Sequence, residues 1–452
     1  VRWFPDFHEQ GEQPGVITFP KNFLWGATLS AHQVEGGNYA NDWWRWEQRP
    51  GRIRDRANSQ VAAGHFTRFE ADFDLARKLG MRAILFSIEW SRVQPVPKAF
   101  DEAAIAHYGA VLDALIVRGI EPVCVLHHVT NPSWFTERRG WRNRGSPDFF
   151  EAYAARMAAE FAPKCRWWVP FYEPMHAVRM AYLEGIWPPG AQNPAAGIME
   201  ALERLKQAHD RAYRAIHAQR PDAMVGAALR GRANRPQDKD RSWDVRAAHG
   251  QNKWPVRFLG PRKAWVMDRF RPWQRREPGG ALDQPLDFLG VGFYGAETVR
   301  FNPFKPRHLF VKYTDAFGSP VGVETCEAAP ESFYHVLREM ARYGLPILVT
   351  GNGIATEEDR RRCVYLLDHL AVVHRCLQEG MDIRGYFHRA FLDGFEWTRG
   401  YSARYGLVHV ARETLARTPN TSAYLYKDIC ESGTLRRGTL ARFCPEWLPP
   451  TE

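Results

Sequence analysis

Glu173 is the residue whose surroundings most resemble a reaction centre. It ends the apolar run Trp168-Val169-Pro170-Phe171-Tyr172 and precedes Pro174. A carboxylate there, beside aromatic residues, is placed for proton transfer, because an apolar setting raises a carboxyl pKa toward neutrality. A second run, Pro346-Ile347-Leu348-Val349-Thr350, reads as another short buried strand, but it ends in Gly351-Asn352-Gly353. Sugar chemistry commonly uses two such carboxylates, roughly 5–5.5 Å apart in retaining enzymes. Only one of the two strand ends carries one.

Other polar or aromatic residues end apolar runs in the same way: Gln33, His128, Tyr294 and the segment from Asp393 to Trp397. His127 and His128 are adjacent, so on a strand only one faces the mouth, and His127 reads as a core histidine. Asp393 and Glu396 have no histidine at ligand spacing, so no metal site is expected. No cofactor motif is found.

These residues need a scaffold that gathers strand ends. Candidate strands are 23–28, 83–90, 121–128, 167–173, 224–229, 286–294, 346–350 and 383–392. Short apolar runs without alternation suit parallel strands covered on both faces. Helical patterns occupy 65–79, 101–118, 148–162, 198–219, 331–343 and 358–380, and Gly80, Gly119, Gly344 and Gly380 sit where left-handed helix ends are expected. Eight strands alternating with helices predict an α/β protein, a (β/α)8 TIM barrel. Residues 1–452 read as one domain with loop insertions at about 230–280 and 300–330.

Composition narrows the function classes. The chain has 452 residues, 45% of them hydrophobic, enough for a large core. Seven cysteines with no paired C-x-x-C spacing favour reduced thiols over a disulfide framework or zinc site. With no apolar leader in the opening residues, a cytoplasmic location is expected. No stretch is long enough to span a membrane. The net charge is +10, and basic residues crowd Arg230 to Arg276 among Trp243, Trp254, Trp265 and Trp273. An anion-binding surface is one reading. A solvated insertion is the favoured one, because Asp238, Asp240, Asp244 and Asp268 interrupt the run. Nucleic acid is not expected as a partner, and oligomeric state is not legible.

The strand ends resemble those of the family 1 glycoside hydrolases, the retaining β-glucosidase group. The resemblance rests on Phe19-Pro20-Lys21-Asn22-Phe23-Leu24-Trp25-Gly26-Ala27-Thr28, Gln33-Val34-Glu35-Gly36 and Phe86-Ser87-Ile88-Glu89-Trp90-Ser91-Arg92. It continues through Asp287-Phe288-Leu289-Gly290 and Leu392-Asp393-Gly394-Phe395-Glu396-Trp397. It implies that Gln33, His128, Glu396 and Trp397 hold the O3, O4 and O6 side of a sugar. Glu173 would be the general acid/base, and Tyr294 the tyrosine that hydrogen-bonds the nucleophile.

The departures from that pattern cluster on the anomeric side. The resemblance implies Asn where Tyr172 stands, Glu at Gly351, Arg at Leu85, Trp at Val129, Asn and Tyr at Gly292 and Phe293, and Trp at Arg389. Tyr172 and Arg389 are therefore candidate substrate contacts of a new kind. Loss of the glutamate is expected to open room at residue 351, where Arg389 would hold an anion unless it pairs with Glu173 or Glu396. Leu85 favours natural divergence over an engineered glycosynthase, since an arginine left without its carboxylate is costly when buried. The expectation is a protein acting on a glycoside or activated sugar, neutral or anionic, without the usual nucleophile. The alternative is a non-catalytic sugar-binding or scaffold protein.

Overall fold

The computed structural model describes residues 16–190, 194–253, 255–260, 282–304, 311–314 and 329–447. Its centre is a closed barrel of eight parallel strands: β1 (Leu24–Leu29), β2 (Ala83–Ser87), β3 (Glu121–Val125), β4 (Trp167–Val169), β5 (Met224–Arg230), β6 (Phe288–Phe293), β7 (Ile347–Asn352) and β8 (Ile383–His388). Neighbours in sequence are neighbours in space, and β8 closes on β1 with Gly385 opposite Leu24. Every expected strand is present. Several stop earlier than their apolar runs, because Phe171, Ile88 and Phe391 lie beyond the strand ends and remain buried.

Helices alternate with the strands: α1 (His65–Lys78), α2 (Glu102–Val117), α3 (Ser146–Phe161), α4 (Pro194–Gln219), α5 (Pro330–Ala341), α6 (Asp359–Gln378) and α7 (Thr421–Ser432). Asp101 caps α2, its side chain accepting from the Ala104 amide at 3.0 Å. Gly80 and Gly380 take φ of 73° and 83° just past α1 and α6, a backbone that side chains with a Cβ resist. The large core lies between helices and barrel. A smaller one fills the barrel itself, where Leu85, Val123, Val125, Trp167, Phe288, Leu348, Phe387 and Tyr172 belong to one cluster. Leu85 thus points inward, where an unpaired arginine would be stranded.

Within the ranges expected to be insertions, only part of the chain is described. A helix, Ser242–Asn252, and short strands at Arg235–Pro236, Thr298–Phe301 and Val311–Thr314 build a small sheet outside the barrel. Trp243 stacks on Phe301 with centroids 5.2 Å apart. Trp254, Trp265 and Trp273 lie outside the described residues. Among those described, no helix is long and apolar enough to cross a membrane. Six cysteines are buried; Cys326 lies outside the described residues.

Four buried histidines set an acid limit on this fold. Burial pulls His127 and His209 down to about 4, and His369 and His388 down to about 3. An unfolded histidine takes up its proton near 6.5. The unfolded chain therefore binds more protons below that pH, and stability is lost as pH falls from about 6.5 toward 3–4. Buried Asp42 acts oppositely: burial raises it to about 6, so its contribution favours folding at low pH and fades as pH rises. We expect the urea midpoint to fall between pH 7.5 and pH 5, and to fall less for His369→Phe. An unchanged midpoint over that interval would refute this account.

Candidate functional site

The C-terminal ends of the strands converge at one mouth, and each expected site residue is there. Glu173 follows β4 in a left-handed conformation, φ 49°, with its amide donating to the Ala228 carbonyl at 2.7 Å. That bond turns the chain sharply before the helix Pro174–Val178 and aims the side chain inward, where it is 6% exposed. One carboxylate oxygen lies 3.9 Å from an Arg230 nitrogen. The other occupies space beside Gly292: a Cβ there would come within 2.7 Å of it.

The space at Gly351 is occupied, contrary to the sequence-based expectation. A Cβ on Gly351 would lie 2.5 Å from the Tyr172 hydroxyl and 2.6 Å from the Tyr294 hydroxyl, well inside van der Waals contact. Tyr172 donates to the Thr350 carbonyl at 2.9 Å, and the two hydroxyls are 3.2 Å apart. A phenol has one proton, so Tyr294 donates to Tyr172 and the chain ends on backbone. Burial first, and then the Glu173 carboxylate, push both hydroxyls above the ordinary phenol range. They remain protonated donors.

Arg389 lies at the barrel mouth, and its Nη2 donates to Glu396 Oε2 at 2.6 Å. Of the two outcomes the sequence left open, pairing is the one observed. Its guanidinium also sits 5.4 Å from the Tyr294 ring centre, with Arg230 4.8 Å from the same centre. The tyrosine therefore has two cations near its ring.

The remaining residues form the wall opposite. Gln33 Nε2 donates to the Phe395 carbonyl at 3.0 Å. His128 Nδ1 is 2.6 Å from Ser30 Oγ. Burial, followed by Arg389, His127 and His32, holds that imidazole far below its usual range, so it is neutral. Trp397 lies parallel to His32 at 5.8 Å and edge-on to His128 at 5.5 Å. His127 instead bonds Asn131 Oδ1 at 3.0 Å, packed against Trp141 and Phe171. Asp393 turns to His409 at 2.9 Å and the Gly406 amide.

The mouth is divided. Gln33, His128, Tyr172, Arg389 and Glu396 line a narrow crevice of about 20 Å³. Glu173 lines a separate cavity of about 10 Å³ with His176, Arg230 and Arg232. Tyr172 lines the crevice, and its hydroxyl is 3.2 Å from that of Tyr294. Arg230 and His176, 3.2 Å apart, were not singled out from sequence. Arg230 is the last residue of β5, so carrying that strand one residue further would have put it at the mouth.

If the phenols fill this position, adding a Cβ must cost. Overpacking is worth roughly 1–3 kcal/mol, whereas Gly→Ala at a compatible position is mildly stabilising. We expect Gly351→Ala to lower stability in the native chain, and to cost at least about 1 kcal/mol less in a Tyr172→Phe/Tyr294→Phe background. Urea unfolding of the four chains measures this coupling; strict additivity would remove the steric argument.

The model for Glycosyl hydrolase family 1 matches residues 16–434. Beta-glucosidase A of Thermotoga maritima is 27% identical over 448 residues, covering 93% of this chain and 99% of that protein. Beta-galactosidase of Pyrococcus woesei is 28% identical, covering 91% and 96%. Among solved structures, a beta-glycosidase from Pyrococcus horikoshii superposes with a TM-score of 0.83 at 32% identity, covering 96% of this chain and 99% of that one.

Proposed function

The chain belongs to glycosyl hydrolase family 1, and from that premise we propose that it acts on a glycoside or an activated sugar with Glu173 as general acid/base and no carboxylate nucleophile. The carrying observation is the Tyr294–Tyr172–Thr350 hydrogen-bond chain across the position of a side chain at 351. A retaining double displacement needs a carboxylate there. Protonated phenols ending on a carbonyl do not supply one.

The chemistry left to Glu173 is single displacement. Its carboxylate takes the proton of an acceptor hydroxyl as that oxygen bonds C1, and the donor's leaving group departs with its electron pair. Such a step suits donors that leave without protonation, such as a glycosyl fluoride or phosphate. The sugar would lie in the crevice, with Gln33, His128, Glu396 and Trp397 on its O3, O4 and O6 side and Tyr172 beside the ring. Arg230 and Arg389, near Tyr294, give the anomeric end positive character. That supports an anionic leaving group or sugar, with Arg230 now the better placed of the two.

A second reading has its own support. Arg389 pairs with Glu396, and Gln33 bonds Phe395. These commitments engage groups a sugar would otherwise claim, which favours a non-catalytic sugar-binding or scaffold role.

We expect turnover of aryl β-glucosides to be negligible, since loss of one member of a catalytic unit costs up to about 10⁶ in rate. A mechanism-based fluorosugar should label no residue. An α-glycosyl fluoride with a β-glucoside acceptor should instead yield a product of inverted configuration, and Glu173→Ala should abolish it. Ordinary aryl-glucoside turnover lost in Glu173→Gln would overturn the proposal. Calorimetric sugar binding without consumption of the fluoride would decide for the non-catalytic reading.

A further inference from the structure

The rim of the mouth carries a block of charge. Between Arg49 and Arg56 the chain places four arginines, Arg49, Arg52, Arg54 and Arg56, against one carboxylate, Asp55. All four are exposed, and none makes an ion pair with a described residue. Arg45, shortly before them, is matched by Glu137. We propose that this rim binds a soluble polysaccharide bearing carboxylate or sulfate groups, so that an acidic glycan runs from the arginines toward the sugar crevice.

The first support is place. The segment is fastened to the loop that carries Trp397. Trp43, in the helix Asp42–Glu47, lies 4.6 Å from Trp397, ring to ring. Tyr401 donates to the Asn58 carbonyl at 2.8 Å, and Arg54 Nη1 to Ser402 Oγ at 3.4 Å. Gly400 packs so closely that a Cβ there would come within 2.8 Å of the Ala57 side chain and 3.2 Å of the Arg54 carbonyl. The arginines therefore border the mouth.

The second is order. The guanidinium carbons of Arg52 and Arg49 lie 4.2 Å and 5.3 Å from the centre of the Trp46 ring. Trp46 is buried and wedged against Gly190, where a Cβ would come within 2.6 Å of the indole. A guanidinium stacked on a fixed indole loses less freedom when it takes up an anion. Its fork of donors matches a carboxylate or a sulfate.

The third is the surface chemistry. Residues 47–57 include no aromatic side chain, and Ile53 is turned inward at 5% exposure. Proteins that lie on lipid insert apolar side chains, and those that hold single-stranded nucleic acid stack bases on exposed aromatics. This segment has neither device. Concentrated positive charge beside a crevice suited to a sugar favours an acidic glycan. That choice of partner rests on reading the crevice as a sugar site, whereas binding at the rim is measured without turnover.

The test titrates the full chain by calorimetry with size-matched oligosaccharides: an oligogalacturonate for carboxylates, a heparin oligosaccharide for sulfates and a neutral cello-oligosaccharide. We expect saturable binding of an acidic oligosaccharide, at least about tenfold tighter than the neutral one and weakening as salt rises. Replacing Arg49, Arg52, Arg54 and Arg56 together by Gln should weaken it at least about tenfold. Arg54→Gln/Arg56→Gln, which leaves the packing on Trp46 intact, should weaken it at least about threefold. The control replaces Arg82, Lys164, Arg166 and Arg384 by Gln, removing the same charge around the opposite end of the barrel; its affinity should stay within about twofold of native. Circular dichroism and thermal unfolding establish that each variant is folded. The proposal is overturned if neither acidic oligosaccharide binds, or if both fourfold variants lose affinity equally, which would make net charge the cause. It is also overturned if anionic phospholipid vesicles or an oligothymidylate bind more tightly and lose that binding in the rim variant. Acidic-glycan binding without consumption of a glycosyl fluoride supports the rim and counts against the catalytic reading; consumption without such binding overturns the rim alone.

Discussion

Excluded volume at two glycines governs the mouth of this barrel. Gly292 and Gly351 sit opposite one another in the register of β6 and β7. The absence of their side chains admits a carboxylate oxygen of Glu173 on one side and two phenol hydroxyls on the other. A single methyl group at either position would collide with those groups. The hydrogen bonds of the tyrosine pair, the burial of Leu85 against the same interior cluster and the position of Glu173 all follow from that allocation of space. The two glycines thus leave room that side chains from other strand ends fill.

That arrangement is confined to the mouth. Below the mouth the barrel is an ordinary closed parallel sheet with an apolar filling. Catalytic groups in such a fold stand on loops and strand ends, so they can be exchanged without disturbing the ladder. The same separation is compatible with a chain only 27% identical to a beta-glucosidase matching it over nearly its whole length.

Strand existence was legible because each strand is a short apolar run covered on both sides. Strand ends were not, because burial continues past the last ladder bond. Phe171 and Tyr172 are as buried as Trp168, yet they belong to the loop. The resemblance placed Gln33, His128, Glu173, Tyr294, Arg389, Glu396 and Trp397 together at the mouth. It did not show what fills the position of residue 351. That depends on Tyr172, Tyr294 and Gly351 meeting from three distant parts of the chain, and a glycine in sequence looks like a vacancy whether or not a neighbour has moved in. Arg230 was passed over for a simpler reason: β5 runs one residue beyond its last apolar position. The helix α7 was passed over too, although Ser422, Ala423, Leu425, Tyr426, Ile429 and Cys430 form one buried face at helical spacing.

The tyrosine pair also limits what residue 351 can become. A Cβ there meets both phenol hydroxyls, so any larger residue requires Tyr172 and Tyr294 to move. Tyr172 in turn packs in the interior cluster that holds Leu85. Room for a longer side chain at 351 is therefore a property of three distant segments together, and a single substitution there does not create it.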